Sequence, residues 1–415
     1  MVRRTRGRGV GERLAAGQDP GAALAEHLDE REAQRVTARR VDPARFPGRL
    51  HDERVAAVLG AALGLAFITC FLTGLYSHFA QHPLDLGFLS MPASPAWLYR
   101  FTQGLHVAAG IAAIPLLLAK LWTIYPLLFV MPPVRSPAHL VERIALIPLV
   151  AGGLFQLFTG LANTAHWYVW SFSFPVVHYW TAWLVIGGLI AHLGAKWATT
   201  RRALGSEGRS RPEPAGEGLS RRAFFGSVAT AVGAVTVLTV GQTFRPLRRA
   251  SLLAPRDPAV GPQGLPINKT AAGARVTTIA RDPQYALVVN GRVGSPLRLT
   301  LAQLQALPQH TASLPIACVE GWSAGATWTG VRVRDLLAMA GADPGAEVIV
   351  HSLQPRGSYR SSRLNVAHAA HGDTLLALRV RGEELHIDHG FPARLIAPNR
   401  PGVQQTKWVG RLEVV

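Results

Sequence analysis

The stretch Val55–Phe79 (VAAVLGAALGLAFITCFLTGLYSHF) holds more than 20 residues without Asp, Glu, Lys or Arg. At about 1.5 Å per helical residue, about 20 residues cross a hydrocarbon layer of about 30 Å. Similar apolar stretches follow at 97–125, 141–168 and 174–199, and a shorter one lies at 226–243. The pattern predicts an all-α membrane bundle of four spans (51–200), followed by a fifth anchor span.

Composition supports this prediction. Only 16% of the residues are charged, whereas a soluble domain carries about 25%, yet the net charge is +18. An apolar and basic chain is typical of membrane proteins, whose cytoplasmic loops are basic. Two cysteines exclude a disulfide scaffold, a cysteine-ligated iron–sulfur cluster and a cysteine-rich zinc site. No nucleic-acid motif accompanies the positive charge, so we expect no nucleic-acid partner.

The loops predict the orientation. Segments 80–96 and 166–175 contain no Lys or Arg, whereas 126–140 contains Arg135 and 201–222 contains six arginines. The positive-inside rule places the basic loops and the N-terminus in the cytoplasm. We therefore expect a multi-pass protein of the bacterial cytoplasmic membrane, with a disordered basic tail (1–50) inside and residues 245–415 outside.

The loop 201–225 ends in Ser220-Arg-Arg-Ala-Phe-Phe225, which has the twin-arginine pattern, before the modest apolar run 226–243. Twin-arginine signals are read by an export machinery, which we therefore expect as a partner. A plain positive flank of the fifth span is the alternative. Beyond a Pro/Arg/Gly-rich linker (244–264), short strand patterns at 285–289 and 347–350 and helical patterns at 300–307 and 333–340 predict a mixed α+β domain over 265–415.

Histidines inside membrane spans are functional candidates. His178 and His192 are 14 residues apart, which puts both on one face of span four, about 21 Å apart. This spacing suits two haems, one per leaflet, each held by a second histidine on another helix. His106 matches His178 in the outer leaflet, and His51 is the best inner partner for His192, with His139 as runner-up. A proton relay or substrate path through the same histidines is the alternative.

We interpret the remaining histidines near the span ends, His78, His82 and His166, as interfacial residues that bind water, and His139 has the same alternative interpretation.

Spans one to four resemble the four-helix di-haem cytochrome b subunits of formate dehydrogenases and nickel–iron hydrogenases. In that family a helix-four pair spaced by 14 serves both haems, with partners at the start of helix one and in the outer part of helix two. The resemblance implies two b-type haems on His106, His178, His192 and His51. Asp52 departs from the family, which has an aromatic residue after the helix-one histidine.

The segment Leu314-Pro-Ile-Ala-Cys-Val-Glu-Gly-Trp-Ser323, with Trp328-Thr-Gly330 after it, contains the second cysteine. A single cysteine is usually a small buried apolar residue. This segment, however, resembles the metal-binding stretch of the sulfite oxidase superfamily of molybdopterin enzymes, and most of all the branch of the periplasmic methionine-sulfoxide reductase catalytic subunit. The resemblance implies that Cys318 is the protein ligand of molybdenum. We interpret the other cysteine, Cys70, as a packing residue of a membrane helix.

The C-terminal segments His389-Gly-Phe-Pro-Ala-Arg394 and Gly402-Val-Gln-Gln-Thr-Lys-Trp408 resemble the last pterin-binding segment of the same superfamily. The resemblance covers about residues 265–415. It implies cofactor contacts at His389, Arg394, Lys407 and Ser352, and the Arg and Lys chemistry suits a phosphate group. Backbone amides near Gln405 can add donors, and Asn268 is a further candidate contact.

The loop 353–363 is expected to overhang the metal, with Tyr359 as a candidate catalytic residue and Arg356 and Arg360 as candidate contacts of an anionic or oxo substrate. A solvated basic loop is the alternative interpretation.

The sequence thus predicts a membrane-bound molybdenum-cofactor oxidoreductase that exchanges electrons between a small extracytoplasmic substrate and membrane quinone through two b-type haems. Reduction of an S-oxide or N-oxide is favoured over oxidation of a sulfite-like substrate. A histidine-lined transporter with a periplasmic binding module is the alternative from another class.

Overall fold

Five long helices form the N-terminal half of the computed structural model, which describes residues 50–83, 90–128, 137–205 and 219–415. They are α1 (Glu53–Gln81), α2 (Leu98–Leu128), α3 (Pro137–Thr164), α4 (Phe174–Leu204) and α5 (Arg221–Thr239). All five contain stretches long and apolar enough to cross a membrane, with mean hydropathy from 1.5 to 2.4. The prediction of five apolar helices is confirmed. The predicted tail, apart from its last residue, and Arg135 lie outside the described residues, as does segment 206–218 of the basic loop.

The outer surface of these helices is apolar. Leu65, Trp122, Ile147 and Leu184 are each more than 60% exposed. Large apolar side chains that point outward on every side are costly in water and favourable in hydrocarbon. The surface is therefore compatible with a membrane protein.

The helices pack closely along their small residues. Helix α1 packs on α2 and α4, α3 packs on α4, and α5 packs on α2. A Cβ atom at Gly188 of α4 would lie 3.0 Å from the Ala145 carbonyl oxygen of α3. Small residues permit such close approach between apolar helices.

Asp52 fixes the beginning of α1. Its carboxylate accepts a hydrogen bond from the Arg54 amide and forms an ion pair with Arg221 at the start of α5. Helix α5 begins at Arg221, earlier than the predicted residue 226, because the Ser220 hydroxyl accepts a hydrogen bond from the Ala223 amide and caps the helix. Asp52, which stands where the cytochrome b pattern has an aromatic residue, therefore joins the first and fifth helices.

As predicted, the C-terminal region is an α+β domain, and its strands form two five-stranded sheets. The strands are β1 (Ala286–Gly291), β2 (Leu297–Thr300), β3 (His310–Ala317), β4 (Ser323–Arg332), β5 (Val348–Ser352), β6 (Ser361–Leu364), β7 (Leu375–Val380), β8 (Glu383–Glu384), β9 (Arg394–Ile396) and β10 (Val409–Val414). One sheet has the order β2-β1-β10-β5-β6; in the other, of order β3-β4-β7-β8, β9 pairs with β7. The pair β1–β10 is parallel and the other pairs are antiparallel.

Short helices cover these sheets: α6 (Ala271–Ala274), α7 (Thr277–Ala280), α8 (Leu301–Ala306), α9 (Val333–Met339) and α10 (Val366–Ala370). The first sheet packs on a core that includes Leu287, Leu336 and Leu412, all fully buried. The second core includes Cys318, Trp328 and Ile396. The two core motifs of the sequence, around Cys318 and Arg394, thus lie on one sheet.

Candidate active site

Cys318 lies at the tip of the β3–β4 hairpin. Its amide donates to the Trp322 carbonyl at 2.9 Å, and the Gly321 amide donates to the Cys318 carbonyl at 3.1 Å. This is the pattern of a three-residue hairpin loop, whose last loop residue adopts positive φ. Gly321 has φ +83°, which explains the glycine at this position. We call residues 318–322 the cysteine loop.

The Cys318 thiol is buried, with 2% of the residue exposed. Burial, followed by the nearby Glu320 carboxylate, raises the pKa of Cys318 to about 12. Such a thiol is not a free nucleophile at neutral pH, because the thiolate is the reactive form. A bound metal cation would deprotonate it, so the environment fits a metal ligand better than a nucleophile.

The predicted residue Asn268 contacts this thiol, because its side-chain amide donates to the Cys318 sulfur at 2.9 Å. Burial, and then the electrostatic influence of Cys318, raises the pKa of the predicted Tyr359 phenol. Tyr359 is half-buried, whereas Arg356 and Arg360 in the same loop are exposed.

Buried cations mark the second part of the site. Arg394 is 4% exposed and Lys407 is partly buried. Among the described residues, neither forms an ion pair with a carboxylate, and the buried Arg394 Nε has no hydrogen-bond partner. Burial lowers the pKa of Arg394 to about 10 and that of Lys407 to about 7. A buried cation such as Arg394 without a counter-ion is unfavourable. The Asp388 carboxylate acts favourably on Lys407 but does not offset the burial and the repulsion from Arg394. The arrangement therefore fits an anionic group such as a cofactor phosphate.

The backbone around Gly390 brings these cations together. Arg394 donates to the His389 carbonyl at 3.1 Å, and Lys407 donates to the Asp388 carbonyl at 2.7 Å. Gly390 has φ +115°, and a Cβ atom there would lie 3.2 Å from the Lys407 Cα. The glycine is therefore required for the close approach of the two predicted segments.

Three further predicted residues hold this part of the fold. His389 is buried and its Nε2 donates to the Pro262 carbonyl at 2.7 Å. Ser352 donates to the Lys407 carbonyl at 2.8 Å. The Gln405 side chain makes two hydrogen bonds to the backbone of Ala397. The backbone amide of Gln405 donates to the Gly402 carbonyl. These hydrogen bonds of His389, Ser352 and Gln405 orient the loops that carry Arg394 and Lys407.

In the helical region, His106 and His178 face each other. Their ring centroids are 6.3 Å apart at an interplanar angle of 64°. A metal–imidazole bond is about 2 Å long and the ring centroid lies about 1 Å beyond the nitrogen, so two axial imidazoles on one iron are about 6 Å apart. The observed separation agrees with this value.

The other ring nitrogens are occupied. His106 Nδ1 donates to the Cys70 carbonyl at 2.9 Å, and His178 Nδ1 lies 2.9 Å from the Thr159 hydroxyl. Such bonds orient a ligating imidazole and leave Nε2 for the metal. Glycines flank both rings: a Cβ atom at Gly74 would lie 3.1 Å from His106 Cε1, and one at Gly160 would lie 3.5 Å from His178 Cε1. The pair fits an axial ligand set for a haem.

The inner pair stays a prediction. His51 Nδ1 donates to the Thr123 carbonyl at 2.9 Å, which would leave its Nε2 for a metal. The side chain of the runner-up, His139, lies outside the described residues.

Comparison with known proteins identifies the C-terminal domain. Residues 274–415 match the family described as the oxidoreductase molybdopterin binding domain. The C-terminal domain is a molybdopterin-binding oxidoreductase domain of the sulfite oxidase type. Below we call it the molybdopterin domain.

The individual relatives agree. The chain is 33% identical to mitochondrial sulfite oxidase of Mus musculus over 161 residues, which are 32% of this chain and 30% of the relative. It is 35% identical over 130 residues (31% and 48%) to a putative protein-methionine-sulfoxide reductase subunit YedZ1 of Azospira oryzae. It is 31% identical over 161 residues (32% and 19%) to nitrate reductase [NADH] of Volvox carteri. The chain thus spans less than half the length of each of these relatives.

Sequence reasoning missed the role of Glu320 in the molybdopterin domain. Its carboxylate pairs with His166 Nε2 at 2.5 Å and with Arg256 at 2.9 Å, and it accepts from the Trp322 indole at 3.2 Å. His166 therefore binds the cysteine loop rather than only interfacial water. An acidic residue two positions after the candidate metal ligand Cys318, in a basic chain, was the available signal.

Proposed function

We propose that this protein is a membrane-bound molybdenum oxidoreductase that reduces an S-oxide or N-oxide outside the cytoplasm with electrons from membrane quinol. One observation carries the proposal: the loop of the buried Cys318 lies on the helix ends next to the His106–His178 pair. A two-electron site and a candidate haem site are thereby neighbours in one chain. Similarity to a methionine-sulfoxide reductase subunit favours reduction.

The residues of the molybdopterin domain have separate roles in this proposal. The Cys318 thiolate holds the molybdenum, and Arg394 and Lys407 hold the cofactor phosphate with a bidentate fork and a point charge. His389, Ser352 and Gln405 fix the loops around them, and Asn268 donates to the sulfur. When bound, the cofactor supplies two-electron oxygen-atom chemistry.

Tyr359 is the candidate substrate residue. Its half-buried phenol is protonated at neutral pH, since the ordinary pKa of tyrosine is about 10 and burial raises the pKa of Tyr359 further. It can therefore donate a hydrogen bond to the oxygen of an S-oxide or N-oxide, while Arg356 and Arg360 are exposed at the mouth of the site.

The helical region supplies the electrons. His106 and His178 would hold an outer b-type haem, and His51 and His192 an inner one. When bound, the haems would supply one-electron transfer between quinol and the molybdopterin domain. The basic loop with Arg201, Arg202 and Arg221 lies in the cytoplasm, and the twin arginines address the folded domain to the export machinery.

Oxidation of a sulfite-like substrate, with electrons passing to quinone, is the second candidate. The identity of 33% with a sulfite oxidase favours it. A transporter with a non-catalytic binding module has less support, because residues 274–415 match an oxidoreductase domain.

A spectroscopic substrate screen tests the proposal and the direction together. Purified full-length protein is reduced with a quinol analogue, and the haem α-band is followed after addition of methionine sulfoxide, dimethyl sulfoxide or trimethylamine N-oxide. In the reverse experiment, oxidised protein receives sulfite. Haem reoxidation by an oxide is the expected result, and Cys318→Ser should retain the haem spectrum but not respond. A protein without a b-type α-band contradicts the haem assignment, and haem reduction by sulfite supports the second candidate.

A further inference from the structure

The cysteine loop contacts the membrane helices through its backbone. The Val319 carbonyl accepts hydrogen bonds from the Gln103 side chain of α2 at 3.5 Å and from the Asn163 side chain of α3 at 3.3 Å. Two amide side chains from two helices thus converge on one carbonyl of the residue that follows Cys318.

Each amide lies about one helical turn from a residue of the histidine pair or from a residue that bonds it. Gln103 precedes His106 by three residues on α2. Asn163 follows Thr159 by four residues on α3, and the Thr159 hydroxyl bonds His178 Nδ1. Residues three or four apart share a helix face. The loop is therefore held by the same helix faces that hold the two imidazoles.

Gly321 also lies close to α2 and α3. A Cβ atom there would lie 2.9 Å from Val107 Cγ2 and 3.1 Å from Thr164 Cγ2. The Thr243 hydroxyl, beyond α5, donates to the Gly321 carbonyl. The loop backbone is thus in van der Waals contact with Val107, the neighbour of His106.

We infer that residues 318–321 are the electron bridge between the molybdenum site and the outer haem, with Gln103 and Asn163 as its positioning residues. The path runs from the Cys318 carbonyl through its hydrogen bond to the Gly321 amide, across the contact to Val107, and along the peptide to His106. This inference rests on the proposed function. Each turnover moves two electrons, one at a time: a quinol gives a quinone, two protons and two electrons, and an S-oxide takes two electrons and two protons to give a sulfide and water.

The test compares Gln103→Leu, Asn163→Leu and the double variant with wild type in the full-length, cofactor-loaded protein. A matched control is Ser94→Ala, which removes another hydrogen bond between the helical region and the molybdopterin domain, to His371, away from the cysteine loop. The protein is reduced with a quinol analogue and mixed with dimethyl sulfoxide in a stopped-flow instrument, and the haem α-band is followed.

Electron transfer slows as the gap between donor and acceptor widens, so haem reoxidation in the double variant should slow severalfold. The haem spectrum and midpoint potential, the molybdenum content and the turnover with a reduced viologen dye, which gives electrons directly to the molybdopterin domain, should stay at wild-type values. The control should match wild type in every measurement.

Two results overturn the inference. One is reoxidation of the double variant at the wild-type rate. The other is an equal loss of dye-driven turnover and haem reoxidation, which would mean that the amides only support the fold. If the leucine variants do not fold, Asn163→Asp replaces them, because it keeps the size of the side chain and removes the hydrogen-bond donor. Its rates of haem reoxidation and of dye-driven turnover are then compared with those of wild type. Absence of a b-type spectrum or of any reoxidation in wild type would instead contradict the proposed function.

Discussion

Replacement of Arg394 by Met should have opposite effects on the cofactor-free and the cofactor-loaded protein. Arg394 is 4% exposed and, among the described residues, has no carboxylate partner. It donates to the His389 carbonyl at 3.1 Å and lies over the Trp328 ring at 5.4 Å. Without an anion, the guanidinium therefore carries a desolvation penalty that these two contacts offset only in part.

The size of each effect follows from these contacts. Desolvation of a buried ion costs several kcal/mol, whereas a hydrogen bond from a charged group contributes about 2 kcal/mol and a cation–π contact about 1 kcal/mol. We expect Arg394→Met to stabilise the cofactor-free domain by about 1 kcal/mol. In the loaded protein the variant loses a charge-assisted bond of about 2 kcal/mol, which weakens cofactor binding about thirtyfold at about 1.4 kcal/mol per tenfold.

Calorimetric unfolding of the full chain in detergent measures the first effect, on protein from a host without the cofactor pathway. Molybdenum retained after dialysis measures the second. Arg298→Met, an exposed arginine on β2, is the matched control, and it should change the free energy of unfolding by less than about 0.5 kcal/mol. A variant that destabilises both forms equally would refute the assignment of Arg394 to an anion, because the guanidinium would then act only as a structural donor.

Three further predictions concern the other candidate ligands. Cys318→Ser should lower bound molybdenum at least about tenfold with the haem spectrum unchanged; metal analysis that finds wild-type molybdenum contradicts the ligand assignment. Lys407 is protonated below about pH 10 in the unfolded chain but only below about pH 7 in the folded, cofactor-free chain. Between these values the unfolded chain binds more protons than the folded chain, so the stability of the cofactor-free form should rise with pH across this window. Cofactor affinity should fall over the same window, because the phosphate binds the protonated ammonium of Lys407. A cofactor affinity that does not change with pH argues against a role for Lys407. His178→Leu should remove one of two b-type haems, and Thr159→Val should shift the midpoint potential of that haem without loss of haem; a full haem complement in His178→Leu would disprove its role.

The sequence was sufficient for the helical region because each apolar stretch carries its own signal. The second predicted span, 97–125, became the helix Leu98–Leu128. The fifth was harder, since its first turn contains Arg221 and Arg222, which a hydropathy pattern excludes. The Ser220 cap and the ion pair to Asp52 extend the helix into this charged stretch.

The candidate active site was predictable where short motifs carry it. The structure brings together the residues around Cys318 and those around Gly390, because β4 and β9 both pair with β7. The contacts of Glu320 with His166 and of Val319 with Gln103 and Asn163 were not predictable. They join residues far apart in the chain and depend on how the two regions dock, for which no local pattern exists.

In the proposed function, docking and metal binding are coupled, because the cysteine loop contributes to both. In the cysteine loop, Cys318 is the metal-ligand candidate, while the next three residues bind α2, α3 and the segment after α5. Two separate proteins would need a large interface to hold such a contact against translational freedom. Within one chain the two regions are present at a high effective concentration. Polar contacts such as Asn399 to Pro92 and Gln404 to Gln81 join them, together with the apolar cluster of Ala80, Tyr99 and Ala317. The contact surface can then be specialised for close approach of Gly321 to Val107 instead of for affinity.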